Sequence, residues 1–451
     1  MNLTSEPYDL VIIGAGVTGS ALLYLCSKYT DIKSIAVIEK YSAPAQVNSR
    51  PCQNSQTLHC GDIETNYSLE KAHTVRRATD MLRNYATSQP NADKIIFKYP
   101  KMVLGVGKDE CELLRKRFEE FSPYYPNLQL MDANHIDTVE PNVTYRRNEE
   151  IVALGSTNDY AAVDFNALSH SFIEQAQLND TIVDIYFDTE VDIIRENIGP
   201  LYMLTGTKNP LKIMCWSRSV VVCAGSHSLK MAHDMGRGLN YSLLPVAGSY
   251  YFTPELLKGK VYTVQNDALP FAAVHGDPDV SVPDVTRFGP TAVVLPFLER
   301  YNWKTVPEFF KVFRFDWRVA KTLWNTFRNK EIQKYMIRNM FLGLPLIGRM
   351  MFLKDVRKIV PSARLRDLTF ANKFGGIRPQ LIDKEQCKLL MGEAKIDEGD
   401  GIIFNMTPSP GGTSCIENAE RDMLSIVKHL DATFDEEAFN KDLLENNNDS
   451  H

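Results

Sequence analysis

The chain has 451 residues, of which 50 are Lys or Arg and 56 are Asp or Glu, so its formal net charge is −6. An apolar share of 44 % beside 24 % charged residues supplies a core and excludes wholesale disorder. No apolar run reaches the ~18 residues of a spanning helix, the start from Met1 to Pro7 lacks the basic and apolar regions of a signal peptide, and the acidic balance lacks the basic footprint of a general nucleic-acid binder.

In chain order, the first forty residues are the most informative. Tyr8 to Ile13 is a short β-rich apolar run, the pattern of a buried parallel strand. It runs into Gly14-Ala15-Gly16-Val17-Thr18-Gly19 and a helical stretch from Ser20 to Cys26. The next strand, Ile35 to Ile38, ends on Glu39. Gly14 permits the tight turn, Gly16 lets backbone approach a pyrophosphate, and Gly19 lets the helix pack on the sheet. The helix N-terminus attracts the phosphates. Glu39 lies twenty residues after Gly19, where it accepts from a ribose hydroxyl pair. With strand, helix, second strand and acid all in place, the motif predicts a dinucleotide site. Its position at the very start of the chain favours FAD over NAD.

Further on, the pattern predicts a helix over 68–88, a strand over 95–107 broken at Gly105 and Gly107, and a charged helix over 109–121. A helix over 164–179 follows Asp164, an expected N-cap. Strands are expected near 182–187, 190–195 and 211–215. Another apolar strand runs from Ser219 into Ala224-Gly225, as in the second glycine-bearing strand that closes over the cofactor in flavoproteins. Residues 300–366 hold 16 basic side chains against 4 acidic, a net +12 in a chain whose total is −6. At helical spacing over 305–328, Phe309, Phe313, Trp317, Ala320, Trp324 and Phe327 fall on one side. Lys311, Arg314, Arg318, Lys321 and Arg328 fall on another. That is the signature of an interfacial helix, although a core helix of the second domain has the same periodicity. Gly411-Gly412-Thr413 open a helix reaching about Leu430, a second anion-seeking N-terminus able to sit at the flavin pyrimidine edge. The eight Cys show no zinc spacing and read as free thiols; no metal site is expected.

Several short motifs stand in one order. They are the N-terminal fingerprint, the stretch from Asn54 to His59, Ala224-Gly225, the stretch from Leu269 to Pro278, that from Thr286 to Thr291, Gly376-Ile377-Arg378-Pro379-Gln380, and the stretch from Thr407 to Cys415. Together they resemble malate:quinone oxidoreductases, in the shorter form close to L-2-hydroxyglutarate oxidases, among the D-amino-acid-oxidase-like FAD proteins. The resemblance runs from about Tyr8 to about Leu430. One departure is Gln56, where hydroxyglutarate oxidases carry Gly; another is Gly412-Thr413-Ser414 in place of Ala-Ser-Thr.

The resemblance implies an FAD enzyme of the tricarboxylic acid cycle that oxidises (S)-malate to oxaloacetate and passes electrons to a membrane quinone. It implies peripheral attachment on the cytoplasmic side of the inner or plasma membrane. Gly14, Gly16, Gly19, Glu39, Asn54, Ala224, Gly225, Gly411, Gly412 and Thr413 are the expected cofactor contacts. Hydride removal from a carbinol carbon needs a base for the hydroxyl proton and fixed cations for the carboxylates. His275 is the favoured base and His59 the other candidate; Arg378 and Arg287 are the expected clamps. The expected fold is α/β. A discontinuous FAD domain spans 1–85, 150–228 and 370–451, and a mixed-sheet substrate domain spans 86–149 and 229–369. Oxidation of L-2-hydroxyglutarate or a related 2-hydroxy or amino acid is the alternative on the same fold. A non-catalytic, FAD-stabilised binding protein is the second.

Overall fold

The computed structural model describes residues 6–445 except 197–198, 209, 266–272, 343–344, 391–393 and 407–409. Two parts of the motif set, Leu269 to Ala272 and Thr407 to Ser409, lie outside the described residues. Strand β1 (Tyr8–Ile13), helix α1 (Val17–Tyr29) and β2 (Ser34–Ile38) form the opening unit. Helix α2 (Leu69–Ser88) starts on a Ser68 cap, and α3 (Ala92–Ile95) leads into the long β3 (Ile96–Val106). Then come α4 (Lys108–Phe121), β4 (Gln129–Met131), α5 (Ala133–Val139), α6 (Pro141–Thr144) and β5 (Ile151–Val163). Asp164 caps α7 (Phe165–Ala176), accepting from the N–H groups of Asn166 and Ala167. Strands β6 (Ile182–Tyr186), β7 (Glu190–Glu196), β8 (Tyr202–Lys208) and β9 (Leu211–Val222) precede α8 (Ser228–Asp234).

The middle of the chain is strand-rich, with β10 (Tyr241–Ala247), β11 (Tyr251–Pro254), β12 (Lys260–Thr263), β13 (His275–Pro278), β14 (Val285–Gly289) and β15 (Val293–Val294). Helices α9 (Val306–Phe313), α10 (Trp317–Phe327), α11 (Lys330–Leu342) and α12 (Pro345–Ile359) follow. Strands β16 (Thr369–Phe370), β17 (Ile377–Asp383), β18 (Lys388–Leu390), β19 (Ala394–Asp397) and β20 (Ile402–Met406) lead to α13 (Cys415–Leu430) and α14 (Glu436–Leu443).

One sheet has the order β19-β20-β9-β1-β2-β6, with the β7–β8 hairpin paired to β9. Its centre is parallel: β1 lies between β2 and β9, and β9 also pairs β20. Covered on both faces, these strands are apolar throughout rather than alternating. One face packs Leu10, Ile12 and Val221 against α1, α7 and α13. The other packs Val11, Ile13, Val220 and Val222 against α8 and Phe309 of α9. A second sheet runs β16-β11-β14-β13-β12-β3-β5-β4, and a third runs β15-β10-β17-β18.

Several sequence expectations need correction. The strands expected at 211–215 and from Ser219 are one strand, β9, and its partner β8 escaped notice because Thr205, Gly206 and Thr207 break the apolar pattern. The division at 149/150 is misplaced, since β5 pairs with β3 in the second sheet. The division at 369/370 is misplaced too, since β17 pairs with β10. The single helix read over 305–328 is two helices. Arg314 adopts φ +40°, and the Asp316 carboxylate then caps α10 through the N–H groups of Arg318 and Val319. The break rotates the faces apart. Phe309 enters the core, while Trp317 and Trp324 are 67 % and 72 % exposed. Along α10, Trp317, Lys321, Trp324 and Arg328 share one face, so aromatic and basic residues are together rather than opposed. Exposed Ile337, Met340 and Phe341 on α11, with Leu346, Ile347 and Met350 on α12, add apolar surface that the charge-rich sequence conceals.

Candidate active site

A long cleft crosses the C-terminal ends of β1, β2 and β9. Its walls include Gly14, Gly16, Val17, Glu39, Asn54, Ala224, Gly225 and the turn from Pro410 to Thr413. Gly16 stands at the N-cap of α1 with no side chain to cap it, so the helix start faces the cleft. A Cβ on Gly14 would meet the Cys223 carbonyl oxygen at 2.6 Å, and one on Gly19 would meet the Gly14 carbonyl oxygen at 2.0 Å. Both positions are closed to any side chain by backbone. A Cβ on Gly16 meets only Ser49 Oγ, at 3.3 Å, and otherwise projects into open cleft. Glu39 Oε2 accepts from the Ala15 N–H at 2.8 Å and Oε1 from the Tyr41 N–H at 2.9 Å, which fixes its carboxylate at the cleft wall. Burial pushes its pKa up against those two hydrogen bonds. Asn54 donates to the carbonyls of Asn48 and Arg50 and accepts from the Gln56 N–H, holding the loop that forms one rim.

A second, more open cavity joins the first. Ser55, His59, Arg378, Pro410 and Thr413 line both. His59 Nδ1 is 2.8 Å from Glu64 Oε1. The His59 N–H donates to Thr413 Oγ1 at 3.1 Å, and Thr413 Oγ1 donates to the Thr57 carbonyl at 3.4 Å. Glu64 Oε2 also accepts from the Gly61 N–H. Burial opposes ionisation of Glu64, but the His59 hydrogen bond and charge, with Lys101 nearby, hold its carboxyl below the usual range. With the ring neutral, an ionised Glu64 selects the tautomer with hydrogen on Nδ1, which makes Nε2 the acceptor nitrogen.

Arg378 is the second residue of β17, opposite Val246 of β10. The backbone leading to it is pinched: a Cβ on Gly376 would meet the Gln53 carbonyl oxygen at 2.1 Å. Among the described residues the Arg378 side chain forms no ion pair and no hydrogen bond, although it is half-buried. Burial pushes the phenols of Tyr67, Tyr250 and Tyr335 up, and the Arg378 charge opposes that shift at each. The Arg378 charge is therefore felt by all three phenols, while no carboxylate stands within ion-pair distance of it among the described residues.

The other two expected residues belong to a different cluster. Arg287 is fully buried, with its guanidinium 2.8 Å from Asp277 and 3.1 Å from Asp279. It also donates to the carbonyls of Asn54 and Ser55, and it lines neither cavity. The expectation of a substrate clamp fails there because both carboxylates already occupy the fork. Lys260 joins the cluster 3.0 Å from Asp277. Burial opposes the Asp277 charge, yet Lys260 and Arg287 hold its carboxyl down to about 2. His275 stacks on Tyr262 at 4.4 Å and touches the open cavity. Burial pushes it down to about 3 against the Asp277 charge, with Lys260 and Arg287 reinforcing the fall. The 3.5 Å approach of Nε2 to Asp277 Oδ1 is therefore made by a neutral ring. Such an imidazole is a poor proton acceptor at neutral pH.

Comparison with known proteins fits this geometry. A model of the malate:quinone oxidoreductase family matches residues 6–445. The chain belongs to the malate:quinone oxidoreductase family. A probable malate:quinone oxidoreductase of Campylobacter jejuni subsp. jejuni is 45 % identical over 452 residues, covering 98 % of this chain and 100 % of its own length. The malate:quinone oxidoreductase of Helicobacter pylori strain 26695 is 42 % identical over 446 residues, covering 97 % of this chain and 98 % of its own length. The dithionite-reduced L-alpha-glycerophosphate oxidase of Mycoplasma pneumoniae, solved with FAD bound, superposes with a TM-score of 0.64 over 95 % of this chain and 96 % of its own, at 18 % identity. That last likeness is one of fold. The chain is thus an α/β oxidoreductase of a family that couples malate oxidation to quinone reduction with FAD. The cleft fits that cofactor: a helix start for the pyrophosphate, a fixed carboxylate for the ribose, and small residues at Ala224, Gly225, Gly411 and Gly412 where a flat ring system must pass.

The departure at Gln56 has a physical account. Gln56 keeps a left-handed backbone, φ +52°, which Gly adopts without strain. Its amide offsets the strain: Nε2 donates to the Pro51 carbonyl and to Asp279, and Oε1 accepts from the Val280 N–H. Glu64 was not among the expected site residues. Its only sequence signal is a spacing of five from His59 in a Gly-containing loop.

Proposed function

We propose that the chain oxidises (S)-malate to oxaloacetate where the two cavities meet, and that its electrons leave to a quinone at a membrane surface. The observation that carries this reading is Arg378, a half-buried guanidinium on the shared wall with no anion beside it among the described residues. A planar fork in that state is suited to a substrate carboxylate. FAD, when bound, accepts the hydride from the carbinol carbon. His59 Nε2 takes the hydroxyl proton, with Glu64 orienting the ring and stabilising the imidazolium. Thr413 and Gly412 hold the α13 N-terminus against the flavin end of the cleft. Gly14, Gly16, Gly19 and Glu39 hold the dinucleotide end, with Ala224 and Gly225 between. Arg287 is a framework residue in this reading, and His275 a neutral wall.

The domain division follows the sheets. The cofactor domain comprises roughly 6–95, 164–235 and 394–445; the rest carries the substrate side. No helix among the described residues is long and apolar enough to cross a membrane. The exposed aromatics of α9–α12, set among basic residues, form a peripheral docking face. Attachment on the cytoplasmic side of the inner or plasma membrane is the reading the basic charge supports.

Anaerobic bleaching of the flavin by a panel of acids tests the substrate. (S)-Malate should bleach it at least as fast as L-2-hydroxyglutarate. Bleaching by 2-hydroxyglutarate alone overturns the malate reading, and no bleaching by either overturns catalysis.

A further inference from the structure

Resting on that malate–quinone reading, we infer that the open cavity is the passage by which a lipid-borne quinone reaches the flavin, entered at the exposed face of α10. The rim of this cavity includes Lys321 and Asn325 of α10, Arg328 just after it, Ile332 of α11 and Leu389 of β18. Its floor includes His59, Arg378 and Thr413, which also line the cofactor cleft. One passage therefore connects the α10 surface to the reacting end of the cleft.

The face of α10 decides what enters. Trp317, Lys321, Trp324 and Arg328 are spaced four, three and four apart, which stacks them on one side of an α-helix. Two of the four are exposed Trp and two line the cavity or its mouth. A helix that seats Trp317 and Trp324 at headgroup level brings the mouth to the same level. The 11 residues of α10 span about 16 Å along the helix axis, so a helix lying flat on the bilayer keeps Trp317, Trp324 and the mouth between them at one depth. A quinone has the matching chemistry: a planar head with two carbonyl acceptors on an apolar tail. Lys321, Asn325 and Arg328 supply donors at the mouth, and the tail stays in lipid. The exchange balances, because malate loses two electrons and two protons on becoming oxaloacetate and the quinone gains two of each on becoming a quinol.

The test uses the FAD-loaded protein on anionic vesicles with an aryl-azide derivative of a short-tailed ubiquinone. After photolysis, label should map to peptides covering 321–332 or 386–389, and excess decyl-ubiquinone should suppress it. Label elsewhere, or label that decyl-ubiquinone does not suppress, overturns the passage. Asn325 is exposed at the rim. Asn325→Trp should therefore narrow the mouth, weaken labelling and lower quinone-dependent kcat/KM about tenfold more than it slows malate-driven flavin bleaching, a modest steric penalty. Equal labelling and an equal quinone parameter in that variant also overturn it. Should malate fail to bleach the flavin while label still maps to the rim, the substrate reading falls and the passage stands.

Discussion

His59 Nδ1 lies 2.8 Å from Glu64 Oε1, and the His59 backbone N–H is bound at 3.1 Å to Thr413 Oγ1. The same residue is thus tied at its ring to a carboxylate and at its backbone to the turn that opens α13. His59→Asn should slow flavin reduction by malate about 10²–10⁴-fold, the usual range for loss of a general base. Glu64→Gln should slow it less and shift the pH profile of reduction, because the ring loses its orienting charge. His275→Asn should change the rate far less. Stopped-flow reduction across pH checks all three, and a large His275→Asn effect with an intact His59→Asn rate would exchange the roles.

Arg378 and Arg287 should behave differently although both were expected to hold substrate. Arg378→Ala should leave a folded, yellow protein with kcat/KM for malate lowered by roughly two orders of magnitude or more, the cost of about 3 kcal/mol or above for a lost charge-assisted contact. Arg287→Ala leaves Asp279 without its ion pair in the core and Asp277 with Lys260 alone. It should lower stability by about 3–5 kcal/mol, as breaking buried pairs does. Steady-state kinetics and denaturant unfolding on the same preparations separate the two outcomes.

The fingerprint glycines separate likewise. Gly16→Val should fold and bind no FAD, because its side chain enters the cleft and meets little protein. Gly19→Ala should fold poorly, because its Cβ would lie 2.0 Å from the Gly14 carbonyl oxygen. Visible absorbance and thermal unfolding of the two variants distinguish a cofactor defect from a packing defect.

Glu140 gives a pH prediction away from the site. Burial raises its carboxyl to about 7, against hydrogen bonds from the N–H groups of Lys258 and Gly259. A raised acid holds its proton in the folded state where the unfolded chain, at 4.5, has released it. Its contribution is therefore full below pH 4.5 and is lost as pH rises through about 7. The span corresponds to about 3 kcal/mol. Glu140→Gln should remove this slope, seen as a flatter difference in unfolding free energy between pH 5 and pH 8. An unchanged slope would place the ionised carboxylate in a more polar setting than its burial implies.

Membrane docking should depend on both components of the exposed face. The protein should pellet with anionic vesicles at low salt and be released at high salt, because each basic residue near the surface contributes about 1 kcal/mol that salt screens. Replacing Lys304, Lys311, Arg314 and Arg318 by Gln should release it while malate oxidation with a soluble dye persists. Trp317→Ser with Trp324→Ser should weaken binding even at low salt. Wild-type protein that never pellets would make this face a protein-facing or solvent surface.

The dinucleotide unit was legible in the sequence because all its determinants are local. An apolar strand, three glycines, a helix and an acid lie within residues 8–39, and each follows from backbone geometry at that spot. The substrate side was less legible because its determinants are cross-strand. Arg287 faces Asp277 directly across the β13–β14 pair, a register no spacing announces, and that pairing makes it framework rather than clamp. Arg378, opposite Val246 across the β10–β17 pair, has no such partner among the described residues. The aromatic stretch misled for a related reason: helical periodicity assumes an unbroken helix, and a left-handed Arg314 followed by an Asp316 cap resets the phase. Sequence determined the strand–glycine–helix unit and the family; only the folded chain decided which charged side chains are already neutralised by one another and which have no such partner among the described residues.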